Sequence, residues 1–70
     1  MNYADTLITL VADDGDEYDL SAYKIKALQG NAKRTIVYAE LEGRQMAFTV
    51  RRAIAEVREE WRARLRAGDE

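Results

Sequence analysis

Two charged constellations are the parts of this chain that could do chemistry. The first is an acidic run around Gly15, made of Asp13, Asp14, Asp16, Glu17 and Asp19. The second is a basic set, Lys24, Lys26, Lys33, Arg34, Arg44 and Arg52, interleaved with Tyr23 and Tyr38. Cations beside aromatic rings suit single-stranded nucleic acid, because the cations neutralise phosphates while the rings stack bases. The same cations also serve as solvated faces of edge strands, where lysine discourages edge-to-edge aggregation. A dense acidic surface has two readings of its own. It is a soluble turn, or it imitates nucleic-acid charge and occupies a basic groove on another protein, with electrostatics speeding encounter. Small phage-encoded inhibitors act in that second style.

Other chemistry is poorly supplied. There is no Cys and no His, so disulfides, thiolates and the usual zinc ligands are all missing. With a single serine, Ser21, no nucleophilic triad can be assembled. The carboxylates of the acidic run sit in a solvated turn, where raised pKa values are not expected. Tyr18 and Leu20 stand where a calcium loop would need oxygen ligands. Gly15, Gly30, Gly43 and Gly68 are separate and do not make a phosphate-cradling loop. No catalytic residue, metal site or cofactor is therefore expected, and the chain reads as a binding module and not an enzyme.

The elements that position these groups follow from periodicity. Thr6 to Val11 is apolar and β-branched on both alternating sets, as in a strand covered on both faces. Asp14-Gly15 supplies a tight turn, and Glu17 to Ser21 alternates with Tyr18 and Leu20 inward, so residues 6–21 predict a hairpin. Tyr23, Ile25 and Ala27 share one face of a third segment with Lys24 and Lys26 on the other, though a helical turn there is an alternative. Gln29-Gly30-Asn31 marks a loop. Thr35 to Leu41 is the strongest strand signal. Glu42-Gly43 turns the chain into Gln45 to Val50, with Met46, Phe48 and Val50 on one face.

After Val50 the period changes. Ile54, Val57, Trp61 and Leu65 recur at spacings of three and four, which predicts a helix over about 51–67. Trp61 is the expected anchor of the core. Arg52 with Glu56, and Glu60 with Arg64, are spaced for ion pairs. Gly68 is expected to stop the helix, with arginines in the last turn where the helix dipole favours cations. The fold class expected is α+β: a small antiparallel sheet or barrel of four or five strands, then one C-terminal helix, in a single domain spanning 1–70.

Charge is unevenly distributed along the chain. The net charge is −2, yet all six acids of residues 1–20 precede the first base, and the cations gather later. No apolar run approaches the roughly 18 residues of a membrane span. The run Met1 to Asp5 lacks the basic start and apolar stretch of a signal peptide. A cytoplasmic protein is expected, with no membrane partner.

Residues 35–57 resemble the core of the WYL domains of bacterial and phage regulators. The matching positions are Tyr38, Glu40, Leu41 and Gly43, then Phe48, Val50 and Arg52. Upstream, Leu7 to Tyr23 has a similar rhythm of strand, Asp-Gly turn and strand. The resemblance implies an SH3-like small β-barrel that binds nucleic acid or nucleotides through basic residues. Met46 and Thr49 stand where that family carries ligand-site arginines, so the resemblance speaks for the fold more than for the ligand. Thr49-Val50-Arg51-Arg52 also looks like the carbon storage regulators, which are RNA-binding β-proteins.

The sequence thus points to a non-enzymatic regulatory module. Lys24, Lys26, Lys33, Arg34, Arg44 and Arg52 would hold phosphates, and Tyr38 would stack. The alternative is a phage or mobile-element inhibitor or adaptor, acting on a protein partner through Asp13, Asp14, Asp16, Glu17 and Asp19. Open strand edges on so small a chain also suit a homodimer.

Overall fold

The computed structural model describes residues 3–69, and the Met1 to Asp5 run falls partly outside that range. A 3-10 turn (Tyr3–Thr6) leads into β1 (Leu7–Val11) and β2 (Glu17–Ser21). A second 3-10 turn (Ala22–Lys24) leads into β3 (Ile25–Gly30), β4 (Thr35–Leu41), β5 (Arg44–Val50) and α1 (Ile54–Asp69). All strand pairing is antiparallel, in a two-stranded sheet β1-β2 and a three-stranded sheet β3-β4-β5. This is the α+β architecture expected, with five strands before one helix.

The barrel alternative does not hold. Among the described residues the backbone bonding between the two sheets is confined to the hairpin tip, where Ala12 bridges Val50 and the Asp13 amide donates to the Thr49 carbonyl at 2.7 Å. Helix α1 packs against both 3-10 turns, β1 and β3, so it fills the side on which β3 would have to meet the hairpin.

The two tight turns follow their residues. Glu42 (φ 52°) and Gly43 (φ 79°) are both left-handed, the pair a two-residue type I′ hairpin needs between Leu41 and its partner Arg44. In the hairpin β1-β2, Gly15 takes φ 95°, while the Asp14 carboxylate accepts from the Asp16 amide at 3.0 Å.

The core lies between the sheets and the helix. Ile8, Leu10 and Leu20 come from the hairpin, Val37, Ala39, Phe48 and Val50 from the larger sheet, and Val57 from α1. Tyr18 of β2 stacks on Phe48 of β5, ring centroids 4.3 Å apart, and so joins the two sheets across their seam. Trp61 is only partly buried, and its indole N–H donates to the Ala22 carbonyl at 2.8 Å. Val57, with no exposed surface, is the more central helical residue.

Several local expectations are corrected. β1 is not covered on both faces: Thr9 and Val11 are exposed while Ile8 and Leu10 are buried. Tyr23 lies in a 3-10 turn, and a bulge between Ile25 and Ala27 turns Ala27 outward, so the three do not share a face. β3 continues through Gln29 and Gly30, and the loop is 31–34. The helix starts three residues later than expected, since 51–53 form a bend held by the Thr35 hydroxyl donating to the Arg52 carbonyl (2.9 Å) and the Ile54 amide donating to the Asn31 carbonyl (2.9 Å). Gly68 does not stop the helix but is buried within it. Arg52 pairs with Glu60 at 2.9 Å instead of Glu56.

Candidate nucleic-acid interface

The open face of the three-stranded sheet is built by alternation. In β4, Thr35, Val37 and Ala39 are buried, so Ile36, Tyr38 and Glu40 point away from the core. Registers place Tyr38 opposite Ala27 on one side and opposite Ala47 on the other. Neither neighbour has a side chain long enough to cover the ring. The Tyr38 hydroxyl donates to Gln29 Oε1 at 3.0 Å, a diagonal bond that holds the ring across the sheet. The bulge between Ile25 and Ala27 makes this possible, since it brings Ala27 into the row beside Tyr38. Next to the ring is a shallow groove of about 340 Å³ lined by Lys26, Tyr38, Ala39, Gln45, Met46 and Ala47. The arrangement is a fixed aromatic plane beside a cation, an amide and a thioether.

The basic residues divide between the two ends of this face. Lys24 and Lys26 flank Ile25, whose partner is Ala39, and Arg44 pairs with Leu41 at the same end. Lys33 and Arg34 occupy the β3-β4 turn at the other end, which is shaped by Asn31 Oδ1 accepting from both their amides, at 2.8 and 3.1 Å. The seven residues of β4 separate the ends by roughly 20 Å. Arg52 stands apart from the set, engaged with Glu60. All five of the other cations are exposed.

The acidic hairpin reaches the larger sheet at one point. Its tip lies beside the end of β5, where Asp13 forms an ion pair with Arg51. Asp19 accepts from the Thr9 hydroxyl at 2.6 Å. Asp14, Asp16 and Glu17 are exposed and make no ion pair among the described residues. A crevice at this tip is lined by Thr9, Val11, Ala12, Asp13, Gly15 and Arg51, with Arg52 at its rim, and Val11 is 52% exposed.

Ser21, the single serine, is 3% exposed, its hydroxyl sharing a hydrogen bond with that of Thr6 (2.9 Å) and accepting from the Tyr23 amide (3.3 Å). It caps the second 3-10 turn, a structural task. Among the described residues no group of three carboxylate, His or Cys side chains could hold a metal ion. No helix among them is long and apolar enough to cross a membrane.

Sequence reasoning placed Tyr38 in a strand with basic neighbours but missed Ala27, Gln29, Gln45 and Ala47. The alanines were detectable only through register, because their contribution is that they leave the ring uncovered. No family model, curated protein or solved structure matches the chain.

Proposed function

We propose that this protein is a non-enzymatic regulatory module of the cytoplasm that binds single-stranded nucleic acid on the open face of its three-stranded sheet. The observation that carries this reading is Tyr38: an outward ring between two alanines, with its hydroxyl tied to Gln29 and a groove at its edge. A ring held in place loses little rotamer freedom when a base stacks on it, so more of the stacking energy appears as affinity. Lys24, Lys26 and Arg44 would hold phosphates at one end, and Lys33 and Arg34 at the other. Arg52 drops out of the ligand set because Glu60 already neutralises it. The WYL-like run from Thr35 to Val57 contains Tyr38 and fits the same reading.

The test is fluorescence anisotropy on labelled single-stranded RNA and DNA across a salt series. Tyr38→Ala should weaken binding roughly 5- to 150-fold, the range of one base–aromatic stack, while Tyr38→Phe, which keeps the ring but loses its tie to Gln29, should lose a smaller part of the affinity. Wild-type affinity that is undetectable at low salt, or unaffected by Tyr38→Ala, would remove the reading.

A second reading has its own observation. Val11 is an exposed apolar side chain whose cross-strand partner is the exposed Glu17, with Asp14 and Asp16 in the turn that joins the two strands. It favours an inhibitor or adaptor that captures a basic protein surface. Charge reversal at Asp14, Asp16 and Glu17 tests it, leaving Asp13 intact because its reversal would break the pair with Arg51. Binding of polylysine that is undetectable in the parent, or unchanged in that variant, would rule it out.

A further inference from the structure

We infer that α1 carries a second polyanion site, a ridge of Arg58, Arg62 and Arg66 that binds the phosphodiester backbone of nucleic acid independently of Tyr38. These arginines recur every fourth residue, so they line one flank of the helix at steps of about 6 Å over about 12 Å. All three are exposed. From Trp61 to Gly68 the chain has Arg62, Arg64 and Arg66 and no acid.

Ordinary helix design does not account for this ridge. Like charges at i and i+4 cost a few tenths of a kcal/mol per pair. The helix dipole favours cations only in the last turn, which holds Arg66 alone. Arg51 is neutralised by Asp13 and Arg52 by Glu60, whereas none of the ridge is ion-paired among the described residues, a condition it shares with Arg34, Arg44 and Arg64. Solubility needs no such concentration, because the chain is net acidic.

The choice of occupant follows from geometry. The apolar stripe of α1 is turned inward, with Val57 fully buried and Trp61 packed against the core, so no amphipathic face is left to enter a lipid surface. An evenly spaced line of guanidinium groups suits an evenly spaced line of phosphates, which each fork can engage through paired N–H donors. Helix α1 contributes Val57 to the core from the inner side, whereas Tyr38 points outward, so the two surfaces are separate.

The experiment measures binding of labelled oligothymidylate by the full chain across a salt series. Replacing Arg58, Arg62 and Arg66 together by Gln should reduce the slope of log affinity against log salt by about 2, three phosphates at roughly 0.7 each for a single strand. The Arg→Lys triple variant keeps the charge and should keep the slope. Far-UV circular dichroism should show the Gln variant folded, since the change removes repulsion. An unchanged slope in the folded Gln variant overturns the proposal, and polyglutamate competing with the labelled oligothymidylate as well as unlabelled oligothymidylate does would overturn the assignment of phosphodiester as the occupant. Tyr38→Ala separates this site from the sheet reading, because loss of a stack lowers affinity without altering the slope. A ridge effect without a Tyr38 effect would retain this site and remove the other.

Discussion

Gly68 illustrates how a residue's role depends on what faces it. By composition it is a helix stop, yet it lies inside α1 and is buried where the helix passes Tyr23 and Thr6. A Cβ there would lie 2.6 Å from the Tyr23 hydroxyl and 2.8 Å from Thr6 Cγ2. Alanine favours a helix interior over glycine by about 1 kcal/mol, but overpacking costs about 1–3 kcal/mol. Thr6 is buried, and the Tyr23 hydroxyl donates to the Leu65 carbonyl at 3.4 Å, so neither neighbour yields freely. Gly68→Ala should therefore lower stability by about 1 kcal/mol net in urea unfolding. A raised midpoint would mean that Tyr23 swings aside without loss. Tyr38 makes the complementary point: its type was visible in the sequence, but its uncovered ring depends on the size of Ala27 and Ala47 across the ladder.

At the scale of elements, alternation and helical spacing were sufficient to locate the hairpin, β4, β5 and α1, because each buries a single face against a common core. They failed where the period breaks. The bulge in β3 shifts parity after Ile25, and a local pattern has no way to register an extra residue that is defined only against a partner strand. Gly30 was misplaced for a related reason. It reads as a loop residue, yet it ends β3 opposite Thr35 because the backbone of the following turn crosses it, with a Cβ falling 2.2 Å from the Arg34 carbonyl oxygen. That contact is to main chain, which cannot rotate away. Gly30→Ala should open the 31–34 turn and lower stability by roughly 2 kcal/mol or more, and Asn31→Ala, which removes the acceptor for two amides, by roughly 1–2 kcal/mol. Thermal unfolding of both variants checks the order. An Asn31→Ala variant less stable than Gly30→Ala would show that the side-chain bonds, and not the close approach, define the turn. The arginine ridge was missed for a third reason: a last-turn explanation that fits Arg66 was extended to cations lying earlier in the helix.

The whole molecule rests on one small core shared by three parts. The sheets are joined by a short seam, so the hairpin stays in place because Ile8, Leu10 and Leu20 pack with Val37, Val50 and Val57, not because the sheets close. A domain of this size has a total stability of about 4–10 kcal/mol at the usual 0.05–0.15 kcal/mol per residue. Replacing a buried leucine by alanine costs about 2–5 kcal/mol in transfer and cavity terms. Leu10, 1% exposed, is on the hairpin strand that α1 also touches, so its truncation loosens the hairpin and helix together. Leu10→Ala should remove about half or more of the total stability, and Trp61 fluorescence and far-UV circular dichroism should report one coincident transition. The indole reports faithfully because its N–H is tied to the Ala22 carbonyl between the hairpin and β3. If the hairpin melted first while Trp61 kept its native emission, the two sheets would be separate cooperative units. The open face around Tyr38 could then persist without the acidic hairpin, and its affinity for nucleic acid should rise as those acids are removed.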